Sequence, residues 1–145
     1  MIGLLQRVTD AGVEIDGKRV AAIGPGLLVL VGVRPADDAA CAVRLLERVL
    51  RYRVFEDQAG KMNLSLIETR GDLLLVPQFT LAADTHRGLR AGFSTAAAPA
   101  IGRAMFEALV QAARARHPRV ETGVFGAHMR VSLTNDGPVT FWLES

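Results

Sequence analysis

The first third of the chain alternates between apolar and polar residues over 2–15 and then gives way to a turn. Alternation with a period of two is typical of a strand with one buried face, and Gly12 is a candidate β-bulge. Asp16-Gly17 predicts a tight hairpin turn into a second strand over 19–23. Continuous apolar residues at 27–33 indicate a third strand, buried on both faces.

Two segments carry apolar residues at helical spacing. The first begins at 35–38, where proline and acidic residues predict a helix start, and its apolar stripe is Ala42, Leu45, Leu46 and Val49. The second opens at Pro99 and ends at His117-Pro118, and its predicted stripe is Ile101, Met105, Ala108, Leu109 and Ala112. Both patterns predict helices that pack one face against a sheet.

Short strands and turns fill the rest of the chain. Residues 73–80 indicate another buried strand, and further strands are predicted at 53–56, 120–124, 128–133 and 139–143, with turns at Gly126 and Asp136-Gly137. Residues 82–98 predict a long surface loop that carries Arg87 and Arg90. We expect a single α/β domain, 1–145, built from mixed, mostly antiparallel sheets and two packed helices.

Composition narrows the functional classes. The chain has 145 residues and a formal net charge of +2, and 15 of its 17 cations are Arg, which suits contact with phosphate. Clusters at 44–53 and 114–119 permit an RNA partner, although a solvated helix face would give the same pattern. The single Cys41, the absence of an export signal and apolar runs of at most seven residues predict a cytoplasmic protein without a membrane span.

Two polar clusters interrupt the apolar strand pattern, namely Pro77-Gln78-Phe79-Thr80-Leu81 and Asn135-Asp136-Gly137-Pro138-Val139-Thr140. Together with the first strand, which includes Gln6-Arg7, they resemble the signature motifs of the D-aminoacyl-tRNA deacylases. The resemblance covers essentially the whole chain. It implies a barrel-like homodimer that needs no cofactor and hydrolyses the ester at the 3′-terminal adenosine of D-aminoacyl-tRNA, and also of glycyl-tRNA mischarged on tRNA-Ala.

The resemblance assigns chirality checking to Gly137 and Pro138. In the family this pair is a Gly-cisPro motif that enters the active site of the partner subunit, so that the homodimer places its active site at the interface. Two carbonyl oxygens turned the same way can hold the α-ammonium, and backbone occupies the space that an L side chain needs. Arg7 is implied to lock the motif by hydrogen bonding, and Asn135 and Thr140 to support it.

The catalytic residues implied by the resemblance are Gln78, Phe79 and Thr80. The family motif begins Ser-Gln, and Pro77 replaces that serine, which removes a hydroxyl and an N–H. Thr80 could attack the ester, but a hydroxyl nucleophile needs a base, for which Asp84, His86 and Asp136 are the nearest candidates in sequence. Alternatively, the amides near Phe79 and Thr80 form an oxyanion hole while the terminal 2′-hydroxyl of the tRNA positions water.

Two other functions remain open at the level of sequence. A related editing enzyme removes L-alanine from tRNA, its first motif begins Pro-Gln as here, and its Gly-Pro bond is trans. A non-catalytic RNA-binding module would explain the Arg clusters. Arg87, Arg90, Phe93 and Ser94 also resemble the family's loop, with Ala91 where proline is common. Because His86, His117 and His128 are dispersed, we expect no metal site.

Overall fold

The strand β1, Ile2–Ile15, pairs along its length with three other strands of one six-stranded sheet. The computed structural model describes residues 1–86 and 88–145. The sheet contains β1, β2 (Lys18–Ile23), β3 (Gly26–Gly32), β6 (Asp72–Pro77), β7 (Val120–Thr122) and β8 (Arg130–Glu144). A separate hairpin contains β4 (Phe55–Glu56) and β5 (Met62–Leu64).

The sheet is mixed and mostly antiparallel, as predicted. β1 is antiparallel to β2, β3 and β8, whereas β3–β6 and β6–β7 are parallel. The strand order is β2-β1-β3-β6-β7, and β8 lies along β1. Because β2 also lies against β6 and β7, the sheet curls into a nearly closed barrel.

The prediction of two packed helices was incomplete, because the described residues form three α-helices. The helices are α1 (Ala39–Arg51), α2 (Leu66–Thr69) and α3 (Pro99–Arg116). α2 is a single turn that a capping box stabilises: Glu68 Oε2 accepts from the Ser65 N–H at 2.7 Å, and the Ser65 hydroxyl caps the Glu68 N–H. The Ser-x-x-Glu capping signal at Ser65 and Glu68 is present in the sequence, but a helix of one turn is too short to show a repeating pattern of apolar residues. No helix among the described residues is long and apolar enough to span a membrane.

The two long helices differ in how well their apolar faces were predicted. All four residues of the α1 stripe are buried, and Asp38 is the N-cap, its carboxylate accepting from Cys41 N at 2.8 Å. Of the predicted α3 stripe, Leu109 is buried, and Met105 and Ala112 are half-buried and pack against the core, whereas Ile101 is exposed. The fully buried residues of α3 are Gly102, Phe106, Leu109, Val110 and Ala113. Both sets have helical spacing and lie side by side on a helix rich in alanine, so periodicity alone does not choose between them.

Three strand predictions needed correction. The segment predicted as a strand to residue 80 leaves the sheet after Pro77 and turns into a 3₁₀ helix, Phe79–Ala82. The bulge is not at Gly12: the register shift lies between Val13 and Glu14, opposite β2. The two last strands are one continuous strand, β8, which carries an excursion where a turn was predicted.

Candidate functional site

Gln78, Phe79 and Thr80 lie together where β6 ends. The Gln78 N–H donates to Val31 O at 2.7 Å, which extends the sheet by one bond beyond Pro77. The chain then turns, because Leu81 N donates to Gln78 O at 3.2 Å and Ala83 N to Thr80 O at 3.1 Å. The Gln78 side-chain amide donates to the Thr80 hydroxyl at 2.5 Å. These hydrogen bonds at the end of β6 hold Gln78, Phe79 and Thr80 in one arrangement.

The main-chain N–H groups of Phe79 and Thr80 have no backbone acceptor among the described residues. They are the first two amides of the 3₁₀ helix, and the first amides of any helix lack partners within the helix. Two neighbouring N–H donors at a fixed turn can bind a developing oxyanion. These are the donors that the oxyanion-hole alternative, raised from the sequence beside a Thr80 nucleophile, requires.

Phe79 lies at the surface. The residue is 55% exposed, so Phe79 does not belong to the core. Its ring contacts that of Phe93 with a centroid separation of 5.2 Å. Residues 82–98 return to this site through a bridge between Asp84 and Gly92, and Thr95 donates to Ala82 O at 2.6 Å. The predicted loop residue Arg87 lies outside the described residues.

A cavity of about 450 Å³ adjoins Gln78 and Phe79. Its lining comes from strands β3 and β6, from the start of α3 and from the β7–β8 connection. Its lining includes Phe106, Phe125 and Met129, and also His128. Sequence reasoning missed these apolar residues, because nothing in a scattered Phe or Met indicates a shared wall. The nearest sequence signal is Gly123, a glycine inside the predicted strand 120–124. In the structure a Cβ at this position would lie 2.9 Å from the Met129 sulfur.

Asn135, Gly137, Pro138 and Thr140 lie on an excursion from β8. Val8 of β1 pairs with Asn135 and Gln6 pairs with Thr140, so residues 136–139 all lie opposite one residue, Arg7. The Asn135 side chain closes the excursion, since its Oδ1 accepts from Val139 N at 2.6 Å and its Nδ2 donates to Thr140 Oγ1 at 3.0 Å. These bonds keep the exposed segment in one conformation.

Arg7 is buried beneath this excursion, with 7% of its surface exposed. Its Nε donates to Asp136 O at 2.9 Å, and its NH1 donates to Val54 O at 2.6 Å. The Asp136 carboxylate lies 3.3 Å from the same Nε, which supplies a counter-charge. Arg7 is therefore a buried, hydrogen-bonded residue and not a solvated surface arginine.

Gly137 and Pro138 form the exposed tip of the excursion, and the peptide bond between them is cis. Gly137 has φ +146°, and a Cβ there would lie 2.6 Å from Val139 Cγ2 and 2.9 Å from Val139 N. Neither Gly137 nor Pro138 lines the cavity beside Phe79 of the same chain. The structure thus forms two separate groups, one around Gln78–Thr80 and one around Arg7 and the excursion.

None of the three proposed bases contacts the Thr80 hydroxyl. The Asp84 carboxylate accepts from His86 N at 3.0 Å, and the Asp136 carboxylate faces Arg7. Among the described residues, the only side chain hydrogen-bonded to Thr80 Oγ1 is the Gln78 amide. A hydroxyl that only accepts a hydrogen bond has no group to take its proton.

The predicted cationic clusters are partly neutralised. Arg116 lies 3.2 Å from Glu47, and Arg119 lies 3.3 Å from Asp72. His117 is buried, and its Nε2 is 2.7 Å from Gly71 O, so it supports the fold.

Comparisons with known proteins agree with this architecture. The family model described as D-Tyr-tRNA(Tyr) deacylase matches residues 4–144. The chain is 65% identical to the D-aminoacyl-tRNA deacylase of Thioalkalivibrio sulfidiphilus, over 99% of this chain and 97% of that protein. It is 61% identical to the D-aminoacyl-tRNA deacylase of Azotobacter vinelandii over the whole of both chains.

A solved structure, the c-Myc DNA Unwinding Element Binding Protein, superposes with a TM-score of 0.94 at 34% identity, covering 100% of this chain and 99% of that one. Fold and sequence together place the chain in the class of hydrolases that act on the aminoacyl-tRNA ester bond. Within that class, it belongs to the D-Tyr-tRNA(Tyr) deacylase family.

Proposed function

We propose that this protein hydrolyses the ester bond of D-aminoacyl-tRNA and releases a free D-amino acid and tRNA. The observation that carries the proposal is the pair of amides at Phe79 and Thr80, which have no acceptor in the part of the chain that the structure describes, at the edge of an apolar cavity. The family membership supplies the substrate class. We place the reaction in the cytoplasm, where charged tRNA is used.

The proposed chemistry is attack of water on the ester carbonyl carbon. The carbonyl oxygen becomes an oxyanion, which the Phe79 and Thr80 amides stabilise, each such donor contributing about 10²–10³ in rate. The carbon–oxygen bond to the ribose then breaks, and the ribose oxygen takes up the proton that water loses. The neighbouring 2′-hydroxyl of the tRNA orients the water. The hydrogen bond that Thr80 Oγ1 accepts from Gln78 supports a positioning role for Thr80.

The cavity beside Phe79 suits the terminal adenosine. Its volume of about 450 Å³ lies within the range of small-molecule sites. Aromatic side chains at Phe79, Phe106 and Phe125 offer stacking surfaces for a purine. With the base in this cavity, the ester at the ribose lies towards the turn at the end of β6.

We further propose that chirality is checked by Gly137 and Pro138 of a second copy of the chain. The pair is exposed and does not line the cavity of its own chain, which supports a homodimer whose active site forms at the interface. The exposed rings of Phe79 and Phe93 support the same arrangement, because large apolar side chains at a surface favour association.

Selection in this proposal is by exclusion. Backbone at residues 137–138 occupies the space of an L side chain, whereas a D side chain points away from it. Glycine has no side chain to exclude, so glycyl-tRNA mischarged on tRNA-Ala is a second substrate. Arg7 and Asn135 hold the backbone in place through the bonds to Asp136 and Val139.

One residue favours a second candidate, an editing enzyme for L-alanyl-tRNA. Pro77 stands where the D-specific family has serine, and the L-alanyl group begins its motif Pro-Gln. A non-catalytic RNA-binding module is the third candidate, and the Arg clusters are its only support.

One assay separates the three candidates. Purified protein is incubated with D-tyrosyl-, L-tyrosyl-, L-alanyl- and glycyl-tRNA, and loss of the ester is followed with time. We expect rapid loss of the D-tyrosyl and glycyl esters and persistence of both L esters. Preferential cleavage of L-alanyl-tRNA would replace the proposal with the second candidate. Binding of tRNA without turnover of any ester would replace it with the third.

A further inference from the structure

Arg103, on α3, holds its guanidinium against the aromatic wall of the cavity. The Arg103 Cζ lies 5.1 Å from the centroid of the Phe125 ring, and Arg103 NH2 donates to Phe125 O at 3.4 Å. Phe125 itself lines the cavity, as does Gly102, the residue before Arg103. A cation held over an aromatic face is restricted in position, although its side chain is exposed. Arg103 does not itself line the cavity, but its guanidinium is held beside Phe125, which does.

The adjacent glycine explains how the ring comes so close to α3. A Cβ at Gly102 would lie 3.2 Å from Phe125 Cζ, which is tighter than an ordinary contact, so a side chain there would push the ring away from this turn of the helix. Gly126, the next residue along, has φ +79° and lies beside the Arg103 NH2 group. The backbone around Phe125 thus leaves room for the guanidinium.

Arg103 has most of its donors free. A guanidinium carries five N–H donors, and the described residues provide one acceptor for them, Phe125 O. No carboxylate among these residues lies within 4.0 Å of Arg103, whereas Arg116 and Arg119, further along the chain, each have one. A fixed guanidinium with free paired donors matches the geometry of a phosphate.

We infer that Arg103 binds the 5′-phosphate of the terminal adenosine, the phosphodiester that joins the last two nucleotides of the tRNA. The inference rests on the proposed function, which places the adenosine in this cavity. The 3′-oxygen and the 5′-carbon project from opposite faces of the ribose ring. An ester directed at Phe79 and Thr80 therefore sends the 5′-phosphate away from these amides, and Gly102 and Phe125 are further residues of the same cavity lining.

The test compares two small substrates that differ only in this phosphate: D-tyrosyl-adenosine, and the same ester carrying a 5′-phosphate. The readout is the ratio of their kcat/KM values. We expect the unaltered protein to favour the phosphorylated ester by at least about tenfold, the usual strength of a charge-assisted contact. Arg103→Met, which keeps an apolar stem over Phe125, should move this ratio towards one, and Arg103→Lys should give an intermediate ratio.

The matched control is Arg114→Ala, an exposed arginine on the same helix whose ratio should equal that of the unaltered protein. A ratio near one in the unaltered protein would overturn the inference. So would an Arg103→Met variant that loses activity on both esters equally, because that result assigns Arg103 to packing of Phe125. If the unaltered protein cleaves neither ester nor D-tyrosyl-tRNA, the proposed function itself fails.

Discussion

Phe79 carries two groups whose roles can be separated, an exposed ring and an unpartnered main-chain N–H. Phe79→Ala removes the ring alone, whereas Phe79→Pro removes the N–H as well. Proline suits the first position of a helix, and Gln78 before it is not helical, with φ −143° and ψ 81°. Phe79→Ala is therefore the matched control for Phe79→Pro.

We predict that Phe79→Pro lowers kcat on D-tyrosyl-tRNA by about 10²–10³ relative to Phe79→Ala. The reason is the loss of one oxyanion donor at an otherwise intact turn. Single-turnover kinetics and thermal melting of both variants provide the measurement. Equal rates for the two variants would remove the Phe79 amide from the mechanism.

Thr80 provides the complementary prediction. Because no base contacts its hydroxyl among the described residues, we expect Thr80→Ala to retain measurable hydrolysis of D-tyrosyl-tRNA. Thr80→Ser, which keeps the hydroxyl, is the control. Complete loss of activity in folded Thr80→Ala, with activity kept in Thr80→Ser, would make Thr80 the nucleophile.

Gly137 tests the tip of the excursion. Alanine there meets Val139 at 2.6 Å and adopts a positive φ, so the backbone at 137–138 must move. We expect kcat/KM for D-tyrosyl-tRNA to fall at least about tenfold, since small displacements at a site have large effects on rate. Gly60→Ala is the control: its φ is +71° with open space around it, so it should cost about 1 kcal/mol of stability and no activity. Full activity in Gly137→Ala would refute this role.

At the scale of elements, the excursion in β8 depends on a residue in β1. Arg7 bonds both Asp136 O and Val54 O, two acceptors in different segments. Lysine carries a single compact ammonium in place of the planar guanidinium, so it cannot donate to both carbonyl oxygens at once. We predict that Arg7→Lys destabilises the protein by about 2 kcal/mol and lowers activity further than this loss explains. Urea unfolding measures the loss of stability, and kinetics on the same samples measure the loss of activity. The control is Arg19→Lys, a substitution at an exposed residue. A normal unfolding midpoint for Arg7→Lys would contradict the account.

The outcome for each element shows what sequence can and cannot reveal. α1 was predictable because its apolar stripe is strong and its other face is charged. β8 was not, since Gly-Pro ordinarily ends a strand, whereas here Arg7 and Asn135 bond to the excursion at 136–139 and pairing resumes at Thr140. The sequence motifs likewise indicated Gln78–Thr80 and the segment around Gly137-Pro138, but they did not indicate that Phe125 lines the cavity. A cavity lining forms through tertiary contacts between residues that are distant in sequence, and none of these residues stands out in the sequence by itself.

The end of β8 gives a prediction for pH. Arg34 and, secondarily, Trp142 hydrogen-bond to Glu144 and lower its pKa from 4.5 to about 2. A carboxylate whose pKa is lowered by folding stabilises the protein above its unfolded pKa, and this contribution is lost as the pH falls through the folded value. Glu144→Gln should therefore be less stable at pH 7, by under about 1 kcal/mol because both partners are half exposed. The difference should shrink as the pH falls from 4.5 towards 2, as followed by urea titration. A difference independent of pH would contradict this assignment.

At the scale of the whole molecule, the two groups of site residues belong to separate parts of one chain. Gln78, Phe79 and Thr80 border the cavity, while Gly137 and Pro138 lie exposed on β8 and do not line it. A complete site in our proposal joins the first group of one copy with the second group of another. If the active site is shared in this way, a copy with a defect in one group and a copy with a defect in the other group together form one intact site.

The most direct test is a mixed dimer of one Phe79→Pro copy and one Gly137→Ala copy, separated by two affinity tags. Each homodimer is expected to be nearly inactive, whereas the mixed dimer contains one site with neither defect. We predict that it regains about half of the unaltered activity on D-tyrosyl-tRNA and still spares L-tyrosyl-tRNA. A mixed dimer as inactive as its parents would show that each chain builds its site alone, and would contradict the account.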